Sequence, residues 1–382
     1  MSRLRELMAE LCPDGVEYRK LGEVCEILDS QRKPVTKKDR TTGQYPYYGA
    51  NGIQDYVDEF IFDGTFLLVG EDGSVVTEHG SPVVHWATGK IWVNNHAHIL
   101  KEKEGLRLRF LFHYLQTVNI RHLVKGVPPK LNQKNLREIF IPVPPLPIQN
   151  EIVKLLDNFT ELTAELTAEL ALRKKQYNFY RDSLLKDTNR TVSVKKLGDI
   201  GSVCMCKRIL KQQTNTESGV PFYKIGTFGK NADSYISKEL FLEYKEKYSY
   251  PRKGEILISA AGTIGRSVVY DGTPAYFQDS NIVWIANDES LVLNRYLYYF
   301  YSLFPWRVAD GGTIARLYND QIRQTEIPVP PLEVQQKIVS ILDRFDTLCN
   351  DLTQGLPAEI AARKKQYEYY RDKLLTFPRK AV

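Results

Sequence analysis

Cysteine is scarce and shows no pairing pattern. The five present, Cys12, Cys25, Cys204, Cys206 and Cys349, form an odd set with no CxxC spacing. That excludes a disulfide framework and a zinc ribbon, and it suits a reduced, cytoplasmic protein. Long apolar runs are missing too. No stretch approaches the roughly 18 uninterrupted apolar residues of a membrane span, and the opening MSRLRELMAELCPDG is amphipathic rather than apolar, so neither secretion nor a membrane is expected. A strong charge of one sign is the third absence. Against 46 acidic residues stand 52 basic ones, a net +6, which permits nucleic acid as a partner without arguing for it.

Recognisable catalytic chemistry is also lacking. A nucleotide site needs backbone amides converging on phosphate at a helix start, and the nearest strings, GTFGK (226–230) and AGTIG (261–265), lack the spacing. A DNA amino-methyltransferase would carry an Asn/Asp-Pro-Pro-aromatic loop, whereas the Pro-Pro pairs here stand in VPPK (127–130) and twice in VPPL (143–146, 329–332). The nuclease pattern survives only in fragments such as EYK (243–245), and spacing nominates no Ser-His-Asp or Cys-His set. His96 and His98 in NNHAH alternate on one face of an expected strand, yet no Cys, Asp or Glu is spaced to complete a metal site. No enzyme is expected, and no metal or cofactor in this chain.

What is present is ordinary globular composition, 43% hydrophobic and 26% charged over 382 residues, enough for two or three domains, and a conspicuous internal repeat. IPVPPLPIQNEIVKLLDNF (141–159) returns as IPVPPLEVQQKIVSILDRF (327–345) at an offset of 186. RKKQYNFYRDSLL (173–185) returns as RKKQYEYYRDKLL (363–375) at 190, and VEYRKLGEV (16–24) as VSVKKLGDI (192–200) at 176. Two near-identical frames therefore hold two dissimilar inserts. LRELM (4–8) sits where YRDSL (180–184) sits in the other copy, which suggests a cyclic order rather than a linear tandem.

Each frame is helical. Ile148, Ile152, Leu155, Phe159, Leu162 and Leu166 trace a heptad seam, the repeat TAELTAEL (163–170) inserts a four-residue stutter, and the seam resumes through Tyr177, Tyr180 and Leu184. One helix of 38 residues, roughly 57 Å long, is predicted. The second copy follows Val334, Ile338, Ile341, Phe345, Leu348 and Leu352, then meets Gly355 and Pro357, where a break or sharp kink is expected. The divisions are a helical piece at 1–15, an insert at 16–146, a central helix at 147–190, a second insert at 191–332 and a helical region at 333–382.

The inserts alternate short apolar strands, such as FIFDGTFLLVG (60–70) and GEILISA (254–260), with glycine-rich turns, and each closes on a helix-like run near Leu108 or Asn294. They carry +2 and +3 of the net charge while the central helix is neutral. Their basic side chains cluster in loops with glycine and aromatics: Arg32, Lys33, Lys37 and Lys38; Tyr48 and Asn51; Lys125 and Lys130; Lys207, Arg208 and Lys211; Lys224; Thr263; Thr313 and Arg316. Asn94, Asn95 and His96 in the first insert, and Gln278, Ser280 and Asn281 in the second, follow a strand at roughly equivalent points. Bases on turns suit phosphate, and amides and imidazole beside them suit base edges. A solvated turn explains any one of these loops; recurrence in both inserts is what points to nucleic acid.

The layout of insert, helix, insert, helix, with RKKQYNFYRDSLL and RKKQYEYYRDKLL, the TAEL repeat and GLPAEI, resembles the specificity (S) subunit of type I restriction-modification systems across nearly the whole chain. The resemblance implies an α+β fold: two mixed α/β target recognition domains with β-rich cores, separated by two long helices forming an antiparallel coiled coil in a pseudo-twofold cyclic arrangement. It implies that each domain reads one half of a split asymmetric site in double-stranded DNA. Two methyltransferase (M) subunits would dock on the helices and two restriction (R) subunits complete the nuclease, with S-adenosylmethionine on M and ATP and magnesium on R. The rival expectation is a structural adaptor whose frame and inserts both bind protein.

Overall fold

The computed structural model describes residues 2–186, 192–307 and 316–380. The chain divides into two units, Met1–Thr167 with Glu359–Val382, and Ala168–Ala358.

The frame helix Leu146–Lys186 runs unbroken for 41 residues, so the stutter is absorbed within regular helix. The Thr163 and Thr167 hydroxyls donate to the carbonyls of Phe159 and Thr163, four residues back, at 2.8 and 2.7 Å. The second copy does break, into Leu332–Asn350 and Leu356–Leu374. Asp351 Oδ1 accepts from the Thr353 and Gln354 amides in the turn. Gly355 is required there because a Cβ would stand 2.4 Å from the Thr347 carbonyl oxygen.

In the first unit, six strands lie in the order Cys25–Ile27, Ala97–Glu102, Phe62–Gly70, Val84–Val93, Thr42–Gly49, Gly52–Val57. Only Thr42–Gly49 and Val84–Val93 run parallel. The second unit repeats the plan in two sheets. The first is Ser202–Cys204, Ile282–Ala286, Ile256–Ser259, Ser267–Val269, and the second is Tyr235–Ile236, Val220–Tyr223, Tyr276–Phe277, again with one parallel pair. Each insert returns to its frame through a two-stranded ribbon, Tyr18–Lys20 with Phe140–Pro142 and Val194–Lys196 with Glu326–Pro328.

The closing helices Leu108–Leu115 and Asn294–Tyr301 are locked to the frame by one repeated device. Buried Gln149 accepts from the Arg107 amide at 2.8 Å and donates to the carbonyls of Gly105 and Pro144. Gln335, at the 186 offset, does the same with Leu293, Leu291 and Pro330.

The cyclic order is visible within the first unit. Leu374, Leu375 and Phe377 share a core with Leu4, Ile148 and Ile152, and Val16 exchanges backbone hydrogen bonds with Pro378 and Lys380 at 2.8 and 3.0 Å. In the second unit Leu185 packs with Leu197, Ile338 and Leu342. Phe159 stacks on Tyr370 with centroids 5.4 Å apart, and in the other unit Phe345 stacks on Tyr180 at 5.5 Å. By repeat position these are one contact made twice. The equivalent of 180–185 in the first unit is thus 370–375; the helix Ser2–Leu11, where LRELM lies, is an added piece whose Leu4, Leu7 and Met8 face the same core.

Candidate nucleic-acid interface

The loops nominated by composition meet at one edge of each unit, and the parallel strand pair explains how. Tyr48 lies opposite Val93, and the next amide, that of Asn94, donates to the Tyr48 carbonyl at 3.0 Å. Tyr223 lies opposite Phe277, and the Gln278 amide donates to the Tyr223 carbonyl at 2.9 Å. The expected equivalence of 94–96 and 278–281 is therefore built into the ladder. From there the hydrogen bonds correspond, with one residue more in the second unit: the Glu71 amide donates to the His96 carbonyl and the Ala260 amide to that of Asn281, while the carbonyls of Glu71 and Ala260 accept from Leu131 and Leu317. Four segments converge in the first unit, Arg32 on Glu71 and the Asn95 carbonyl, His96 on Asp72, and Pro129 and Lys130 on Gly73 and Glu71. In the second, 207–211, 260–266, 278–281 and the start of 316–318 take the same places.

Beneath the first edge lies a charged network. Fully buried His98 meets Asp29 Oδ2 through Nδ1 at 2.6 Å and the Leu131 carbonyl through Nε2 at 2.8 Å. Burial pushes the Asp29 carboxyl up, but the hydrogen bond and charge of His98, with Arg32 and the Ile99 amide, outweigh it and hold it below its ordinary range. Each ring nitrogen of His98 thus already has an oxygen partner within the protein. Arg32 reaches Glu71 at 2.5 Å and the Ala97 carbonyl at 2.9 Å, and Lys130 pairs with Glu71 at 3.1 Å. Asp29 and Glu71 do supply the carboxylates that the spacing around His98 lacked, and this network's own cations already pair with them.

The second edge opens as a cleft of about 590 Å³ whose lining includes Arg208, Lys211, Lys224, Gln278, Ser280, Asn281 and Arg316. Gln278 accepts from the Ile225 amide at 2.9 Å, Lys224 pairs with Asp233 at 2.9 Å, and Arg316 donates to the Ser280 carbonyl at 2.7 Å. The Asn281 amide bonds the Asp279 carbonyl at 2.6 Å around Ser280, whose φ of 58° lies in the left-handed region. A tight turn in that conformation is uncommon and strained, as is frequent at working sites.

Three nominated side chains are withdrawn from the surface. Tyr48 is 8% exposed and packs with Phe62, Phe66 and Ile91, because it occupies a strand position facing the core rather than the glycine-rich turn beside it. Asn94 is buried, accepting from the His96 amide and donating to Gln54. Arg32 is turned inward as described. Exposed are Lys33, Lys37, Lys38, Asn51, Asn95, Lys125, Lys130, Lys207, Lys211 and Thr263. His96 is exposed and paired with Asp72. Lys207 lies 5.2 Å over the Tyr248 ring and does not line the cleft. Thr313 lies outside the described residues. Missed altogether were the acidic partners Glu71, Asp72 and Asp279. Nothing in their spacing marks them, since each meets its base from 24 to 71 residues away.

No helix among the described residues is long and apolar enough to cross a membrane. The chain is 55% identical over 373 residues to a protein of Haemophilus influenzae named as a type I restriction enzyme specificity subunit, covering 95% of this chain and 96% of that one. It is 34% identical over 307 residues to the EcoR124I/EcoR124II specificity subunit of Escherichia coli, 71% of each chain. The crystal structure of a type I restriction-modification S subunit from M. genitalium shares the fold, with a TM-score of 0.61 at 16% identity over 94% of this chain and 96% of that one. The type I restriction modification DNA specificity domain matches twice, over residues 13–172 and 189–362. Built as two alike units, this chain belongs to the family of type I restriction-modification specificity subunits, non-catalytic chains that carry two DNA-recognition domains.

Proposed function

We propose that each unit reads one half of a split, asymmetric duplex site and that the helix Leu146–Lys186 sets the unread spacer between the halves. The observation that carries this reading is the double construction of one edge, with the same ladder register bringing dissimilar side chains to the same four segments. Bases on those segments serve phosphates, and Asn95, His96, Gln278, Asn281 and their neighbours face base edges. The frame helices dock two M subunits and two R subunits join them in the cytoplasm. S-adenosylmethionine is bound by M, and ATP and magnesium by R; no catalytic step falls to this chain.

Exchanging residues 191–332 for the corresponding insert of another member, in cells that also express the methyltransferase, is expected to change one half of the methylated motif and leave the other intact. Change in both halves would sink the reading. Removing one TAEL copy, 167–170, shortens the joining helix by about 6 Å and turns its ends by about 40°, so the spacer is expected to shrink by about one or two base pairs with both half-sites unaltered. An unchanged spacer in the methylome of that strain would count against the helix as ruler.

A further inference from the structure

Arginine stands at the same place in the two reading edges, and the two are in opposite states. Arg32 and Arg208 are separated by 176 positions, the offset of the repeat around them. Arg32 is folded inward onto Glu71 and the carbonyls of Asn95 and Ala97. The position of Glu71 is held in the second unit by Ala260, whose amide and carbonyl make the matching hydrogen bonds. Among the described residues no carboxylate takes the place of Glu71, and Arg208 stays outward, its side chain 67% exposed at the mouth of the cleft.

It is nevertheless not free to swing. Its Nε donates to Asp279 Oδ2 at 2.8 Å, and Asp279, 16% exposed, belongs to the tight turn that the left-handed Ser280, the Asn281 amide and Arg316 hold in place. Among the described residues, the two terminal nitrogens have no partner. A guanidinium pinned by Nε presents those two nitrogens as a planar fork, the geometry that matches O6 and N7 of guanine in the major groove. The same carboxylate argues against a phosphate role, because it cancels the local positive charge a phosphate would seek. It also removes in advance the side-chain freedom that an unsupported arginine loses on binding.

We infer that Arg208 reads a guanine in the half-site addressed by the second unit, with Asp279 as its positioning residue. The inference rests on residues 191–332 being a DNA-recognition domain and adds the base that domain requires. Lys211 flanks the cleft as a phosphate contact, and Gln278 and Asn281 are placed for neighbouring bases.

The test uses the full chain assembled with its methyltransferase, the motif taken from methylome sequencing, and a panel of duplexes in which each G·C pair of the second half-site is replaced by A·T. The wild-type complex is expected to lose about 10- to 100-fold in affinity at one G·C pair. Arg208→Ala should bring that ratio close to one while leaving discrimination at every other position intact. Arg208→Lys keeps the charge without the fork and should lose the same discrimination, and Asp279→Asn should lose part of it. Two results would overturn the inference: Arg208→Ala or Arg208→Lys discriminating as wild type does, or Arg208→Ala weakening all duplexes equally, as loss of a phosphate contact would. A second half-site without a G·C pair overturns it as well, with the functional reading left standing. Failure of the wild-type complex to bind duplex DNA would instead remove the reading on which it rests.

Discussion

His113 and Tyr299 occupy one position of the repeat and solve one problem with different chemistry. Both take a carboxylate of the frame helix as acceptor, Asp157 at 2.9 Å and Asp343 at 2.5 Å, beside an arginine, Arg109 or Arg295. His113 also faces the Tyr367 hydroxyl at 2.9 Å, with Arg371 nearby. Burial, the largest cause, pushes His113 below the ordinary histidine value, against the bond and charge of Asp157. The neutral ring is thus the folded form. Below about pH 6.5 the unfolded chain takes up a proton that the folded one resists, so this stabilisation is present above that pH and is lost as pH falls through the folded value. The first unit should soften as pH falls below about 6.5, and His113→Gln should flatten that part of the dependence. Amide exchange followed unit by unit would show it, and equal pH slopes in variant and wild type would refute it. In the second unit a tyrosine, silent in this range, holds the same place.

Elements differ in how openly the chain announces them. The unbroken helix and its broken copy were written in apolar spacing and in one Gly-x-Pro, because helical contacts are local and repeat every few residues. The strands Phe62–Gly70 and Ile256–Ser259 could be read the same way. The parallel pairings could not, since Tyr48 and Val93 are brought together by everything folded between them, and that pairing is what assembles each edge. It is also why a strand residue such as Tyr48 passed for a loop residue. Asp29 and His98, 69 positions apart, escaped for the same reason. The glutamine clamp bears on elements: Gln149→Ala and Gln335→Ala each leave one partly buried amide and two carbonyls unpaired and should cost about 2–4 kcal/mol, each in its own unit. Urea unfolding with a separate probe in each unit would measure it; a cost below about 0.5 kcal/mol would mean that water replaces the clamp.

The molecule as a whole is organised against its own chain order. The final residues complete the first unit, so a chain ending at residue 358 should lose that unit while keeping the second. Leu374, Leu375 and Phe377 are all buried, and losing side chains of this kind costs about 2–5 kcal/mol each, comparable to the entire stability of a domain. Limited proteolysis of the shortened chain should digest 16–146 and spare 192–350. Protection of both would contradict the assignment.

The hydrogen bonds from Val16 to Pro378 and Lys380 bring the start of the first insert beside the C-terminal segment. A polypeptide whose C-terminal segment returns to its first insert and whose halves share one plan is topologically a ring with a single cut, and translation requires only that the cut fall somewhere. A gene encoding the two inserts in the opposite order would then specify the same two readers. The order in which the two inserts are written then leaves each unit's own contacts as they are.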